Sequence, residues 1–323
     1  MSKVLLVDPI PLPLLERMRT MIPAGADLDV VSTYSEEDLA RHAAETEILL
    51  VISRKVDARL LSALPHVRFV QRVGVGFDNL DLEALQAAGV VAAYTPGANA
   101  VAVAEHTILL MLALLKRFVA GESAARQGGW PTAELVQAGI GELANTTVGL
   151  VGFGNIGRAV AQRLAPFGSR LLYTARQAVD PEIEQQYGAR YVLLDDLLAS
   201  STIVSLHLPL NEATRGLIGE AELAKMQAGA FLVNTSRGEL IDEAALHRAI
   251  VSGKLAGAAL DVLSNERPGG NPFADLSQVI VTPHLAGGSR AAIGRAIQMA
   301  IANVARFQRG ESPLYLVPMP SAS

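Results

Sequence analysis

The sequence contains no cysteine and no surplus of positive charge, and these two absences already exclude several classes of protein. Without cysteine there is no disulfide framework, no thiolate metal site and no cysteine nucleophile, which fits a reducing compartment. The 27 lysine and arginine residues are outnumbered by 32 aspartate and glutamate residues, giving a net charge of -5. Because nucleic-acid binding needs a basic surplus to neutralise phosphates, we expect no nucleic-acid partner.

The sequence also has few charged residues and no apolar run of membrane-spanning length. Charged residues make up 18% of the chain, below the roughly 25% of an average protein, and hydrophobic residues reach 50%, so disorder is disfavoured. The longest apolar stretch, Ala100–Leu115, includes Glu105 and His106 and is shorter than the roughly 20 residues of a membrane span. The N-terminus reaches Asp8 too soon for a signal peptide. We therefore expect a soluble, cytoplasmic protein with no membrane partner.

Short apolar runs alternate with helix-like segments along almost all of the 323 residues. Helical spacing of apolar residues predicts helices such as Leu12–Met21 and Glu243–Val251 between the runs. This alternation is typical of parallel sheets covered by helices, and the length predicts two domains. The expected fold class is α/β, with two Rossmann-like, doubly wound parallel-sheet domains joined by two hinges. Strands are predicted at Val4–Val7, Ile48–Ile52, Phe69–Gln71, Thr147–Val151, Arg170–Thr174, Ile203–Leu206, Phe231–Asn234, Ala258–Leu260 and Val279–Val281.

Two turn-rich segments mark the predicted crossings between the domains. The first, Thr95–Asn99, precedes a long apolar helix predicted over Val101–Val119. The second, Pro283–Gly288, precedes a helix predicted over Arg290–Gln308. The crossings divide the chain into one domain of residues 1–98 and 288–323 and another of residues 99–287.

A glycine motif of the form G-x-G-x-x-G joins a predicted strand to a predicted helix, Ile156–Ala165. Its first glycine makes a tight turn, its second lets the backbone approach a pyrophosphate, and its third lets the helix pack on the strand. The helix N-terminus adds N–H groups and a positive dipole. A glycine-rich turn without a ligand is the alternative. The motif predicts a dinucleotide cofactor that contacts Gly152, Gly154, Asn155, Ile156 and Gly157.

The end of the next predicted strand bears on the choice between NAD and NADP. An NAD site places an acid about 20 residues after the glycines to hold the ribose 2′-hydroxyl. Here Thr174 stands at that place, and no acid follows until Asp180. Arg176 lies just beyond Thr174 and can pair with a 2′-phosphate. We therefore expect NADP(H) to be preferred, with NAD(H) possible.

Three polar segments follow predicted strands in the second domain, namely Asn234–Gly238, Asp261–Glu266 and Thr282–His284. Ligands of open α/β sheets bind outside the carboxyl ends of the strands. We therefore expect the arginine, the glutamate and the histidine of these segments to converge beside the cofactor. Each residue taken alone also has a structural reading, as a paired charge or a hydrogen-bonded histidine.

These motifs, in this order, resemble those of the D-isomer-specific 2-hydroxyacid dehydrogenases over nearly the whole chain. The resemblance also rests on Gln71–Asn79, Thr95–Gly97 and Ala104–Thr107. It implies that residues 1–98 and 288–323 form the substrate domain and residues 99–287 the dinucleotide-binding domain. It further implies three catalytic residues: an arginine that binds substrate, a histidine that exchanges a proton with the carbonyl oxygen, and a glutamate that orients it. They match Arg237, His284 and Glu266 in that order.

The resemblance implies further contacts and a partner. The loop Val73–Gly76 is similar to the one whose backbone N–H groups hold the substrate carboxylate, here through Val75 and Gly76. A homodimer is implied, with Trp130 on an arm near the partner's active site, although an ordinary packing aromatic is the alternative. His106 is interpreted as structural or interfacial. No metal is expected, and further cofactor contacts are implied for Leu208, Pro209, Thr235, Ser236, Asp261 and Gly287.

The resemblance also bears on the substrate. The segment Leu50–Lys55 is similar to a substrate-site wall of the glyoxylate/hydroxypyruvate reductases, whereas the phosphoglycerate dehydrogenases carry arginine where Val51 stands. We expect NADPH-dependent reduction of a small 2-oxo acid of the glyoxylate or hydroxypyruvate type to the D-2-hydroxy acid. A formate dehydrogenase is disfavoured because it has glutamine where Glu266 stands. The open alternatives are a reductase of 2-ketogluconate or another 2-keto acid, an NAD-dependent phosphoglycerate dehydrogenase-like enzyme, and a non-catalytic NAD(P)-sensing protein like a corepressor.

Overall fold

The computed structural model describes residues 2–319, which form two compact α/β units. One unit comprises residues 2–99 and 290–319, and the other comprises residues 100–289. Each unit contains one parallel sheet with a hydrophobic core on each face, which confirms the predicted α/β fold class. Residues 1 and 320–323 of the predicted domains lie outside the described residues.

The first unit contains a five-stranded parallel sheet in the order β2-β1-β3-β4-β5. The chain leaves β1 towards one edge, returns past it to β3, and continues to the other edge. The strands are β1 (Ser2–Leu6), β2 (Ala26–Val30), β3 (Thr46–Val51), β4 (Phe69–Arg72) and β5 (Val91–Ala93). The helices between them are α1 (Leu12–Met21), α2 (Glu36–Ala40), α3 (Ala58–Ala63) and α4 (Leu82–Ala87).

The second unit contains a seven-stranded parallel sheet in the order β12-β11-β10-β9-β6-β7-β8. Its strands are β6 (Thr147–Val151), β7 (Arg170–Thr174), β8 (Ala189–Tyr191), β9 (Ile203–Leu206), β10 (Ala230–Asn234), β11 (Leu255–Leu260) and β12 (Val279–Val281). Its helices are α5 (Ala100–Leu115), α6 (Phe118–Arg126), α7 (Thr132–Gln137), α8 (Asn155–Leu164), α9 (Pro181–Tyr187), α10 (Leu194–Ser200), α11 (Glu220–Lys225) and α12 (Glu243–Val251). Short 3-10 turns cover Ala165–Phe167 and Gly238–Leu240. The last helix, α13 (Arg290–Gln308), belongs to the first unit.

The central strands of both units are apolar on both faces, because successive residues of a strand point to opposite sides. In β1, Val4 and Leu6 enter a core with α1 and α13, whereas Leu5 enters the opposite core with α2, α3 and α4. In β10, Leu232 and Val233 divide in the same way between the two cores of the larger sheet. The continuous apolar runs in the sequence arise from this two-sided burial.

All nine predicted strands are present, and three further strands are not among the predictions. The missed strands β2, β5 and β8 each form one edge of a sheet. An edge strand pairs on one side only and need not be a continuous apolar run. β2 reads Ala-Asp-Leu-Asp-Val, and β5 and β8 are three residues long, so none of the three has the signal used for prediction.

The predicted helix over Val101–Val119 is wrong at its C-terminal end. α5 ends at Leu115, and α6 begins at Phe118 after a break at Arg117, whose φ is 49°. The Leu115 carbonyl accepts the Gly141 N–H at 2.8 Å, and the Arg117 guanidinium donates to the carbonyls of residues 138 and 139. Apolar spacing reports burial and does not detect a break made by such distant contacts. Among residues 2–319, no helix has both the length and the apolarity to cross a membrane.

Candidate active site

Six polar or glycine-rich segments follow the carboxyl ends of strands in the seven-stranded sheet and therefore lie at the same end of that sheet. Because all its strands run parallel, the residues that follow each strand meet at the same edge. The central pair, β6 and β9, is the point where the strand order reverses, and ligands of such sheets bind there. The segments begin at Gly152 after β6, Ala175 after β7, His207 after β9, Thr235 after β10, Asp261 after β11 and Thr282 after β12.

The three glycines of the glycine loop have different surroundings. Gly152 has a φ of 104°, and a Cβ there would lie 2.4 Å from the carbonyl oxygen of His207. A Cβ at Gly157 would lie 2.2 Å from the carbonyl oxygen of Gly152, so both positions require glycine. A Cβ at Gly154 would meet open space, and Asn155 beside it is exposed at the start of α8. Asn155 and Ile156 begin this helix, and the first N–H groups of a helix have no acceptor within it.

The loop after β7 lies against the glycine loop. The Gly152 N–H donates to the Thr174 carbonyl at 2.9 Å, and Arg176 is exposed two residues further on. Buried Tyr173 holds this loop, because its hydroxyl donates to Glu184 at 2.8 Å and accepts the Val179 N–H at 2.9 Å. Burial and the contact with Glu184 raise the pKa of Tyr173, so the hydroxyl stays protonated as a donor. Sequence analysis did not identify Tyr173 or Glu184, since each alone is an ordinary residue.

His207 lies buried at the central switch point, directly after β9. Its Nε2 is 3.0 Å from the Ser205 hydroxyl, and burial lowers the pKa of His207 from 6.5 to about 3. A neutral imidazole therefore lies beneath the glycine loop. Leu208 follows, with its side chain 3.0 Å from the place of a Gly152 Cβ, and Pro209 is exposed. The predicted cofactor contacts Leu208 and Pro209 thus lie beside the glycine loop.

The segment after β10 directs its hydroxyl groups inward. The Thr235 hydroxyl is 3.0 Å from the Thr107 hydroxyl, and the Ser236 hydroxyl donates to the Leu206 carbonyl at 2.8 Å. Both side chains are buried. Their hydroxyls are therefore engaged within the protein, and a ligand at this edge would meet the outer side of the segment.

Arg237 follows in extended backbone and is partly buried. Its Nη1 donates to the Ser236 carbonyl at 2.7 Å, and its own carbonyl accepts from the Asn234 side chain at 2.8 Å. A Cβ at Gly238 would lie 2.1 Å from the backbone of Leu263. Gly238 therefore brings the arginine segment against the segment that leads to Glu266. Sequence analysis did not single out Gly238, because this close approach involves a residue distant along the chain.

Asp261 is the structural centre of the next two segments. One carboxylate oxygen accepts from the Thr282 hydroxyl and the Leu285 N–H, and the other accepts the Ala286 N–H at 2.8 Å. His106 lies on α5 with its Nε2 3.1 Å from the Thr282 hydroxyl and 3.4 Å from Asp261. Burial raises the pKa of Asp261, but these hydrogen bonds outweigh burial and hold the pKa below its ordinary value. These contacts give His106 a structural role, which is one of the two roles, structural or interfacial, that the sequence suggests.

His284 and Glu266 form a hydrogen-bonded pair at the same sheet edge. The His284 Nδ1 lies 2.9 Å and 3.1 Å from the two carboxylate oxygens of Glu266, and both side chains are about half exposed. His284 has a φ of 53°, a conformation that is costly for a residue with a Cβ. Its N–H donates to the Asp261 carbonyl at 2.8 Å, so the buried aspartate also fixes the strained residue. Gly287 is partly buried in the turn that follows.

The remaining predicted site residues lie elsewhere. Val75 and Gly76 belong to the first unit and follow β4 in a loop whose Gly74 carbonyl accepts the Thr95 N–H at 3.0 Å. Trp130 lies between α6 and α7 with 85% of its surface exposed, which contradicts the alternative of an ordinary packing aromatic. In the described part of the chain, no group of three or more acidic or histidine side chains could hold a metal ion.

Comparison with known proteins identifies the relatives of this chain. The sequence model described as D-isomer specific 2-hydroxyacid dehydrogenase, NAD binding domain, matches residues 108–286. The glyoxylate reductase of Aeropyrum pernix is 38% identical over 301 residues, which cover 90% of this chain and 89% of that protein. The D-3-phosphoglycerate dehydrogenase of Archaeoglobus fulgidus is 37% identical over 94% of this chain, which spans only 57% of that longer protein. The crystal structure of a glyoxylate reductase from Paecilomyes thermophila matches with a TM-score of 0.85 and 32% identity over 98% of each chain.

Proposed function

Because the chain belongs to the D-isomer-specific 2-hydroxyacid dehydrogenase family, we propose that it reduces a small 2-oxo acid to the D-2-hydroxy acid with NADPH. The observation that carries this proposal is the His284–Glu266 pair. It lies at the same sheet edge as the glycine loop, with a Gly238 contact that brings the Arg237 segment to it. Carbonyl reduction requires three groups beside the dinucleotide: a proton donor, a carboxylate that orients the donor, and a guanidinium that binds the substrate.

In the proposed reaction, a nicotinamide cofactor held at the glycine loop would supply the hydride for the carbonyl carbon. His284 donates the proton that reaches the carbonyl oxygen, and this converts C=O to CH–OH. Because Glu266 accepts a hydrogen bond from Nδ1, proton transfer uses Nε2, the other ring nitrogen. Glu266 thereby fixes both the tautomer and the orientation of the imidazole.

Substrate binding falls to Arg237 and to the loop that contains Val75 and Gly76. Arg237 offers a planar fork of N–H groups to the substrate carboxylate or carbonyl, which aligns the reacting carbon. The backbone N–H groups of Val75 and Gly76 hold the carboxylate, and a loop with two glycines lets the substrate approach the backbone. Asp261 and Gly287 complete the cofactor contacts around the nicotinamide.

The preference for NADPH rests on Thr174 and Arg176. A carboxylate at position 174 would repel a 2′-phosphate, whereas the exposed Arg176 pairs with it through charge-assisted hydrogen bonds. The double variant Thr174→Asp/Arg176→Ala is expected to reverse the ratio of kcat/KM for NADPH to that for NADH. An unchanged ratio would show that the preference has another source.

The proposed substrate class is glyoxylate or hydroxypyruvate. The Aeropyrum relative carries the name glyoxylate reductase and matches this chain over nine-tenths of its own length. This chain has the apolar residue Val51 at the position where the phosphoglycerate dehydrogenases carry arginine. The valine cannot pair with a phosphate, and this disfavours a phosphorylated acid as the substrate. A 2-ketogluconate reductase and a phosphoglycerate dehydrogenase-like enzyme are the alternatives that the same assay separates.

We also propose a homodimer formed through α5, α6 and α7. Large apolar side chains on these helices and between α6 and α7 are exposed, and exposed apolar side chains in number are typical of a protein–protein interface. Size-exclusion chromatography with light scattering is expected to give twice the chain mass of 34.1 kDa. A monomer at micromolar concentration would contradict this. The exposed members are Leu109, Phe118, Val119, Trp130 and Val136.

The deciding experiment is the initial rate of NADPH oxidation, and separately of NADH oxidation, with a panel of acceptors. The panel is glyoxylate, hydroxypyruvate, pyruvate, 2-ketogluconate and 3-phosphohydroxypyruvate. The proposal expects the highest kcat/KM with NADPH and a two- or three-carbon unphosphorylated acid. A preference of orders of magnitude for the phosphorylated acid would refute it. Arg237→Ala is expected to abolish turnover while NADPH still binds, whereas a cofactor-sensing protein would show tight binding and no turnover in either form.

A further inference from the structure

Tyr173 connects the two loops that the proposed cofactor would contact. It lies in β7, is fully buried, and stacks on Phe153 of the glycine loop with the ring centres 4.1 Å apart. Its hydroxyl reaches the loop after β7, where it accepts the Val179 N–H at 2.9 Å. One buried side chain thus contacts both the glycine loop and the loop that carries Arg176.

The loop that carries Arg176 is held at both of its ends. At the first end, the Gly152 N–H donates to the Thr174 carbonyl at 2.9 Å. At the second end, the Tyr173 hydroxyl binds the backbone of Val179. Within the described part of the chain, the residues in between form no hydrogen bond, and Arg176 is exposed among them. The hydrogen bond between Val179 and Tyr173 therefore limits how far the backbone of Arg176 can move.

Glu184 on α9 orients the Tyr173 hydroxyl. A phenol has a single O–H donor and an ionised carboxylate only accepts, so Tyr173 donates the hydrogen bond of 2.8 Å that joins it to Glu184. The lone pairs of the phenol oxygen are then directed to the Val179 N–H. The same Glu184 oxygen also accepts the N–H of Tyr191 in β8 at 3.0 Å, which fixes the carboxylate against the sheet.

A loop that is held in advance favours the pairing of Arg176 with a phosphate. An arginine on a mobile loop loses backbone and side-chain freedom when it pairs, and this loss of entropy weakens binding. A loop that is already fixed loses less. The 2′-hydroxyl of NADH carries no charge, so NADH binding depends little on the guanidinium. Fixing the loop therefore strengthens the binding of NADPH more than that of NADH.

We propose that Tyr173, oriented by Glu184, is a positioning residue for Arg176 and in this way contributes to the discrimination of NADPH from NADH. The inference rests on the proposed function, in which Arg176 pairs with the 2′-phosphate of the cofactor. It extends the cofactor preference from the exposed loop to a buried tyrosine of β7. In this role the tyrosine touches no atom of the cofactor and acts only through the loop.

The dissociation constants for NADPH and NADH, measured by fluorescence titration without a 2-oxo acid, test the inference. Tyr173→Phe keeps the ring that stacks on Phe153 but loses the hydroxyl. The affinity for NADPH is expected to fall roughly three- to tenfold, the contribution of one hydrogen bond. The affinity for NADH should change by less than about twofold. Tyr187→Phe is the matched control, since its ring also packs against Phe153 but, in the described chain, no hydrogen bond joins its hydroxyl to the loop of Arg176.

Two further comparisons separate positioning from a general effect on the fold. Glu184→Gln keeps an oxygen that accepts from Tyr173 and should retain most of the NADPH preference, whereas Glu184→Ala should lose part of it. In the Arg176→Ala background, adding Tyr173→Phe should change the affinity for NADPH by less than about twofold, because no guanidinium is left to position.

The outcomes separate this inference from the proposed function. An unchanged NADPH affinity in Tyr173→Phe, an equal loss for both cofactors, or the same loss in the Arg176→Ala background would overturn the positioning role while the NADPH preference stands. A wild-type protein that binds NADH as tightly as NADPH would refute the preference and this inference with it. Circular dichroism establishes whether Tyr173→Phe is folded. If it is not, the two Glu184 variants decide, and equal NADPH affinities in both would contradict the inference.

Discussion

At the scale of single residues, the candidate site combines exposed groups with buried ones that fix them. His284 and Glu266 are about half exposed and so accessible to a substrate, yet the backbone of His284 is held by Asp261, which is 1% exposed. The left-handed φ of His284 costs free energy, and the hydrogen bonds around Asp261 offset that cost. The buried aspartate thereby supports the position of the proposed proton donor without titrating in the neutral range.

Replacing Glu266 by glutamine tests the orienting role. The amide keeps the size of the side chain but presents an N–H group as well as an oxygen, so it holds the imidazole less well. We expect kcat to fall about a hundredfold or more, with little change in NADPH affinity. Steady-state kinetics and fluorescence titration with NADPH measure the two quantities. Glu182→Gln, at an exposed position on α9, is the matched control, and equal kcat values for both variants would rule out the role of Glu266.

The buried His207 makes stability depend on pH. The pKa of His207 is about 3 in the folded protein and 6.5 in the unfolded chain, so between pH 3 and pH 6.5 the unfolded chain binds a proton that the folded protein does not. The contribution of buried His207 to the free energy of unfolding is therefore complete above pH 6.5 and is lost as the pH falls towards 3. The loss is about 1.4 kcal/mol per pH unit, or about 2 kcal/mol at pH 5 relative to pH 7.5.

Urea unfolding followed by circular dichroism at pH 5 and pH 7.5 measures this contribution. When the pH is lowered from 7.5 to 5, the free energy of unfolding should fall by about 2 kcal/mol less in His207→Gln than in the wild-type protein. Other titrating groups cancel in this difference. His66→Gln removes an exposed histidine and should behave as the wild-type protein does. Equal pH dependence in all three proteins would show that His207 is protonated in the folded state.

At the scale of elements, the glycines between β6 and α8 divide between positions that packing requires and a position that packing leaves open. Gly157 lets α8 pack against the loop, since a Cβ there would meet the Gly152 carbonyl at 2.2 Å. A Cβ at Gly154 would have no such neighbour and would meet open space, which we propose is the place of the cofactor pyrophosphate. The packing therefore requires glycine at position 157, whereas at position 154 only the proposed ligand would require it.

Two alanine variants test this division. Gly154→Ala is expected to keep the thermal midpoint of the wild-type protein and to lose NADPH affinity about tenfold or more, because the methyl group fills the phosphate space. Gly157→Ala is expected to lose about 1–3 kcal/mol of unfolding free energy through overpacking. Thermal unfolding and NADPH titration of both variants check the two outcomes. A normal NADPH affinity in Gly154→Ala would contradict the assigned phosphate space.

At the scale of the whole molecule, the larger unit is continuous in sequence and has its own two cores. Residues 100–289 supply every strand of the seven-stranded sheet and all of the glycine loop. The smaller unit is instead closed by α13, which returns from the far end of the chain to pack with β1 and β4. The two units therefore differ in what each needs in order to fold.

A fragment of residues 100–289 is expected to fold alone and to bind NADPH with near-wild-type affinity, but to catalyse no reduction because it lacks Val75 and Gly76. Circular dichroism, cooperative thermal unfolding and NADPH titration measure these properties. The full-length protein under the same conditions is the control. A fragment that unfolds without cooperativity would show that the unit depends on the rest of the chain.

The α/β class, the central strands and the glycine loop can all be predicted from the amino-acid residues alone. These features are local, since two-sided burial yields apolar runs and a phosphate turn requires glycines at fixed spacing. The sequence could not reveal the edge strands β2, β5 and β8, or the break at Arg117, because their signals depend on neighbours distant along the chain. Three contacts depend instead on the tertiary fold: Gly238 meets Leu263, Asp8 holds the loop of Arg54, and Asp261 binds the turn after His284. Each of these contacts joins segments that follow two different parallel strands of one sheet. The segments are distant along the chain, and only the fold brings the carboxyl ends of their strands together.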